Sequence, residues 1–161
     1  MISMVRIDDR LIHGQVAVMW SKYLGIDRIL VISDEIAKNE IQVSALLMAA
    51  PSGVKAAVVN LDKGLAILND PRSEKLKILV LLNNPKYIIK MKEGLKNEFV
   101  VNIANYGRIG GPLNEKVKIS DTVYLTSMEQ TEIKSLIENG QKIIHQPLPN
   151  DECINFDKLL S

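Results

Sequence analysis

One short stretch concentrates the reactive side chains of this chain. Asp8-Asp9-Arg10-Leu11-Ile12-His13-Gly14-Gln15 places two carboxylates, a guanidinium and an imidazole within six residues, ahead of a helical pattern. A free imidazole titrates near ~6.5, so much of a histidine at this point is neutral and nucleophilic at cellular pH. The start of a helix supplies unpaired N–H groups and partial positive charge, which suits an anion. Gly14 lets the backbone approach a bulky anion with no Cβ in the way. Arg10, three residues before His13, offers a fork of donors to phosphate oxygens. Asp8 or Asp9 is placed to accept the second ring N–H and fix the tautomer. A nucleophile beside an anion cradle is what a histidine needs to take up a phosphoryl group and pass it on. The plainer alternative is a solvated turn with a capping histidine and local ion pairs of little energetic weight.

Other reactive types are scattered. His145 ends a strand-like run near Pro147 and Pro149, which suits a structural or exposed residue. Cys153 is the single cysteine, so neither an internal disulfide nor a multi-cysteine metal site is available. It has no base beside it and suits a small packing residue. Trp20 suits a core position or a partly exposed anchor. Gly107-Arg108-Ile109-Gly110-Gly111 is glycine-rich but fits neither G-x-G-x-x-G nor the Walker pattern, and Arg108 is a candidate for phosphate or partner contact. There is no G-x-S-x-G, H-E-x-x-H or C-x-x-C, and two distant histidines do not make a zinc site. We expect no metal and no cofactor.

The elements that must position the first loop follow from pattern. β-rich runs recur at Ser3–Ile7, Arg28–Ser33, Lys55–Asn60, Lys77–Leu82, Phe99–Ala104, Thr122–Leu125 and Lys142–His145. Several are continuously apolar, as strands buried on both faces should be. Helical segments alternate with them: Gly14–Leu24, Glu35–Ala50, Leu61–Leu68, Pro85–Leu95, a segment opened by the capping box Thr126-Ser127-Met128-Glu129, and a short one over Asn155–Leu160. This predicts an α/β fold, an open and mostly parallel sheet of six to seven strands with helices on both faces. The last strand or two are free to run antiparallel at an edge, and Gly107–Ser120 reads as a loop with one short extended piece. In such sheets ligands bind beyond the carboxyl ends of the strands, where the His13 loop falls.

Size and charge agree. The 161 residues suit one domain, 1–161. Lys+Arg is 20 against Asp+Glu 19, which lacks the basic footprint of a nucleic-acid binder. The longest apolar run, Ala45 to Ala50, is far short of a membrane span, and the amino end lacks a signal-peptide pattern. The expectation is a soluble, cytoplasmic protein.

Val5-Arg6-Ile7-Asp8-Asp9-Arg10-Leu11-Ile12-His13-Gly14-Gln15-Val16 resembles the amino-terminal signature of the enzyme IIB subunits of the mannose family (mannose, fructose, sorbose, N-acetylgalactosamine) of the bacterial phosphoenolpyruvate-dependent sugar phosphotransferase system. Ile32-Ser33-Asp34-Glu35, Ala50-Pro51-Ser52-Gly53-Val54 and Asn102–Gly107 extend the likeness along the chain. The resemblance implies a phosphotransferase component in which His13 is phosphorylated on Nδ1, the pros nitrogen, by a histidine of a separate IIA subunit. His13 then yields the group to sugar entering through the membrane components IIC and IID. It implies catalytic roles for Arg10 and Asp9, with Arg6 as a further motif position. The residues themselves suggest phosphate binding by Arg10 and the backbone N–H groups of Gly14 and Gln15, with Arg6 as a further candidate. The resemblance also implies membrane association only through partners and leaves homo-oligomerisation open. Tyr106 stands where many relatives carry a smaller residue. The competing expectation is a non-catalytic sensor or anion-binding module on the same scaffold. The transported sugar is not named by the sequence.

Overall fold

A computed structural model describes residues 1–160. Strand β1 (Ile2–Asp8) lies at the middle of a seven-stranded sheet of order β3-β2-β4-β1-β5-β8-β9, with β2 (Arg28–Ile32), β3 (Lys55–Val59), β4 (Ile78–Leu82), β5 (Val101–Asn105), β8 (Ile143–His145) and β9 (Ile154–Asn155). Every pairing is parallel except that of β8 with β9 at the edge. The expected open, mostly parallel sheet is therefore what forms.

Alternation along β1 divides its side chains between two cores. Val5 and Ile7 face one cluster with Leu82, Ile103, Tyr87, Ile88, Met91, Ile133 and Phe156. That side carries α3 (Leu61–Asn69), α4 (Lys86–Gly94) and α5 (Ser127–Glu138). Met4 faces the other cluster with Leu11, Ile12, Ala17, Trp20, Ile29, Val31, Leu79 and Leu81, under α1 (Gly14–Leu24) and α2 (Glu40–Met48). Arg6 and Asp8 share Met4's parity, so β1 turns them toward the α1 side.

Three local expectations are corrected. Glu35–Ala50 is not one helix. A 3-10 turn, Ile36–Lys38, ends at Asn39, whose side chain accepts from the Gln42 N–H and caps α2. Thr122–Leu125 is not a strand of the seven-stranded sheet and meets it only through a parallel bridge of Val123 to Tyr106, just past β5. Val123–Leu125 forms β7 in an antiparallel hairpin with β6 (Val117–Ser120), and β6 is the extended piece of the irregular segment. Asn155–Leu160 is a 3-10 turn over Phe156–Leu159, preceded by β9, because Phe156 drops fully into the core. The capping box at Thr126 forms as its sequence predicts.

Candidate phosphoryl-transfer site

The loop after β1 is shaped by its own backbone. The Arg10 N–H donates to Asp8 Oδ1 at 2.9 Å, and the Leu11 N–H to the Asp8 carbonyl at 3.0 Å. Leu11 takes φ 56°, a left-handed conformation that costs a residue with a Cβ about 1–2 kcal/mol. Burial of Leu11 and of Ile12 beside it in the α1-side core offsets that cost. The chain then leaves the turn so that His13 is the N-cap of α1, with Gly14 at φ 44° as the first helical residue. No side chain caps this helix start and no acidic residue lies in its first turn. Gly14 and Gln15 are exposed, and a Cβ built on Gly14 would meet open space. The amide end of α1 therefore faces solvent beside the imidazole.

The imidazole is oriented by Asp8. His13 Nε2 lies 2.9 Å from Asp8 Oδ2, with the histidine side chain 19% exposed and the aspartate fully buried. A carboxylate accepts only, so Nε2 carries the proton and Nδ1 holds the lone pair. Among the described residues Nδ1 has no hydrogen-bond partner, and it is not one of the buried unsatisfied atoms, so it opens to solvent. Burial pushes the Asp8 carboxyl up, but the bonds from His13 and the Arg10 amide and the charge of Arg6 outweigh it and hold it below the usual range. Asn105 at the end of β5 adds a long contact to Asp8 Oδ1, 3.5 Å.

The other motif residues separate. Arg10 is exposed, and its guanidinium has no partner among the described residues, so it is available at the rim. Asp9 does not reach the imidazole. Its Oδ2 accepts the Gly107 N–H at 2.9 Å, and burial raises its pKa. Its position follows from the turn: Asp8 closes β1 facing α1, and Asp9 points across toward the end of β5. Arg6 is not on the rim either. It is buried, with Nη2 on Asp8 Oδ2 at 3.0 Å and Nη1 on the Pro147 carbonyl at 2.8 Å, so it backs Asp8 instead of contacting an outside anion. Period-two alternation from Met4 carried that signal. Pro147 and Trp20, whose Nε1 also donates to the Pro147 carbonyl at 2.9 Å, carry no sequence mark of this arrangement.

The loop after β5 flanks the site. Gly107 has φ 92°, and a Cβ there would stand 1.9 Å from the Tyr124 carbonyl oxygen. Lys116 Nζ donates to the Gly107 and Gly110 carbonyls at 2.7 and 2.8 Å, tying the loop down. Arg108 is exposed on it. The Tyr106 hydroxyl donates to Glu129 of the α5 capping box, and burial and that carboxylate raise its pKa. His145 is buried, its Nδ1 against the Ile103 carbonyl at 2.6 Å. Cys153 is exposed. Among the described residues no cluster of three or more His, Cys, Asp or Glu side chains is arranged to hold a metal ion.

The loop after β1 thus presents a histidine with one free ring nitrogen at an uncapped helix start on an open α/β sheet. Comparison with known proteins gives its family. The family described as PTS system sorbose subfamily IIB component matches residues 2–161, and the chain belongs to that family. It is 34% identical over 164 residues to a probable phosphotransferase enzyme IIB component of Streptococcus pyogenes serotype M6, covering 100% of both. It is 31% identical over 160 residues to the mannose-specific EIIAB component of Escherichia coli K12, covering 99% of this chain and 48% of that longer protein. The solved IIB domain of the sorbose permease from Klebsiella pneumoniae superposes with TM-score 0.89 at 28% identity, over 98% of this chain and 94% of that one. PTS IIB components are phosphotransferase components of sugar transport, and this chain is one of them. Among the described residues no helix is long and apolar enough to cross a membrane.

Proposed function

We propose that this chain is a phosphoryl carrier in which His13 Nδ1 accepts a phosphoryl group from phosphohistidine on a IIA partner and yields it to a sugar hydroxyl at the membrane components IIC and IID. The observation that carries this reading is the Asp8–His13 bond, which places the proton on Nε2 and leaves Nδ1 free at an uncapped helix start. In the loading step the Nδ1 lone pair forms the new P–N bond, and the donor's P–N bond breaks with its electron pair returning to the donor imidazole. His13 keeps its Nε2 proton, so the phosphorylated ring is cationic and rests against the Asp8 carboxylate. In discharge the sugar oxygen bonds to phosphorus, the P–Nδ1 pair returns to His13, and the hydroxyl proton leaves to a base at the sugar site. Arg10 and the Gly14 and Gln15 amides meet the charge on the three phosphoryl oxygens throughout. The fused IIA portion named in the E. coli relative supports a IIA domain as donor. The working location is the cytoplasm, with the membrane reached through partners.

The experiment is incubation with phosphoenolpyruvate, enzyme I, the phosphocarrier protein and a cognate IIA, followed by mass spectrometry. An acid-labile adduct with the mass of one phosphoryl group on His13, absent from His13→Ala, is expected. A folded wild-type chain that takes up no more phosphoryl group than His13→Ala would refute the carrier and leave an anion-binding module.

A further inference from the structure

Arg6 does not reach the rim beside His13 Nδ1, and its side chain is only 5% exposed. A buried guanidinium is costly unless its donors are used. Here they are. Nη2 meets Asp8 Oδ2, Nη1 meets the Pro147 carbonyl, and the cation lies 5.7 Å from the centre of the Trp20 ring. Pro147 is itself fixed. The Gln146 N–H donates to Asn102 Oδ1 at 3.0 Å, and Asn102 Nδ2 donates back to the Gln146 carbonyl at 2.8 Å. A strap from the carboxyl-terminal part of the chain thus holds Arg6 against Asp8, and Asp8 Oδ2 receives two donors at once: Arg6 Nη2 at 3.0 Å and His13 Nε2 at 2.9 Å.

We infer that Arg6 is a positioning residue that sets the phosphoryl-transfer potential of His13 by sharing the carboxylate oxygen that holds the Nε2 proton. The inference rests on the carrier reading above. A phosphorylated ring that keeps its Nε2 proton is cationic, and breaking P–Nδ1 returns it to neutral imidazole, a good leaving group. An unshared Asp8 charge would favour the cationic ring and so over-stabilise the loaded state. The fixed positive charge of Arg6 opposes this and keeps the group ready to move on. The other charged groups near this oxygen are Asp9, turned to Gly107, and Arg10, exposed at the rim. From β5 the neighbour is the neutral Asn105, and from the strap it is the Pro147 carbonyl, bonded to Arg6.

The test uses the full chain and nitrogen-15 NMR of the His13 ring. Arg6→Met removes the charge at similar volume. The expected result is a His13 titration midpoint raised by about one unit, the effect of deleting one near charge. With it, the phosphoryl equilibrium between donor and this chain should shift about tenfold toward this chain. Arg6→Lys, which keeps a charge near Asp8, should restore the midpoint toward wild type. A midpoint that stays put or falls in Arg6→Met, whatever its melting temperature, overturns the inference. Should Arg6→Met not fold, the wild type decides. Arg6 Nη signals must move with the His13 titration, because both groups bind one oxygen, and flat Arg6 signals overturn the inference. Phosphorylation of wild-type His13 is scored separately. Coupled titration with no phosphoryl uptake would refute the carrier reading, whereas uptake without coupling would remove Arg6 alone.

Discussion

Asp8→Asn changes one atom of the site and sets every donor around it at odds. Asp8 Oδ1 accepts the Arg10 amide and faces Asn105 Nδ2, while Oδ2 accepts Arg6 Nη2 and His13 Nε2. An asparagine must put its NH2 at one of these two positions, where it confronts two donors. It also leaves the Arg6 guanidinium buried without its counter-charge. Breaking a buried pair in this way costs about 3–5 kcal/mol. At roughly 2–4 °C per kcal/mol for a domain of this size, the melting temperature should fall by about 6–20 °C. The imidazole loses the acceptor that fixes its tautomer, so Nδ1 is protonated for much of the time and transfer should slow by about 10²- to 10⁴-fold. The difference also has a pH signature. The Asp8 pKa is depressed in the folded chain. Its stabilising contribution is therefore complete above the unfolded carboxyl value near ~3.9 and is lost as pH falls through the lower folded value. Calorimetry of the two proteins from neutral to acid pH, with phosphoryl transfer measured at a temperature where both are folded, checks this. An Asp8→Asn protein that melts with wild type and transfers at the wild-type rate would refute the reasoning.

Arg10→Ala should slow transfer by about 10²- to 10³-fold, as loss of one donor to a charged transition state does, with little change in melting because the side chain is exposed; single-turnover transfer and a thermal melt read the two effects. Asp9→Asn should transfer within an order of magnitude of wild type, because this side chain serves the Gly107 amide and not the ring, and it should not lose stability at neutral pH, where burial disfavours the charged form; a collapse of transfer rate without a fold change would show that Asp9 acts on the phosphoryl group. Gly107→Ala should destabilise by at least about 1–3 kcal/mol, since the residue needs φ 92° and its Cβ would collide with the Tyr124 carbonyl; urea denaturation measures it.

What could be read from the residues alone was local. The strand, turn and helix that present His13 span fewer than twenty-five positions, and β1 and α1 each announce themselves by their own periodicity. Which of two adjacent carboxylates serves the ring was harder. It depends on the left-handed turn at Leu11, which no propensity favours, though the shared parity of Met4, Arg6 and Asp8 pointed inward. Asn39 before Glu40 was a readable helix start that a longer apolar pattern concealed. The Pro147 strap was out of reach, because it meets Arg6 across 141 positions through the pairing of β5 with β8, and local pattern holds no trace of such a contact. The Tyr106 ring was visible as a residue but not as a tie to the α5 cap, which exists only once β5 and α5 are packed.

The proposed transfer chemistry depends on which nitrogen of His13 bears the phosphoryl group. Nitrogen-15 and phosphorus-31 NMR of the chain, loaded through its donor and kept at neutral to alkaline pH, reads this directly. The geometry predicts phosphorus coupled to Nδ1, with a proton retained on Nε2 against Asp8. Phosphorus on Nε2, or on any other residue of a folded chain, would contradict it.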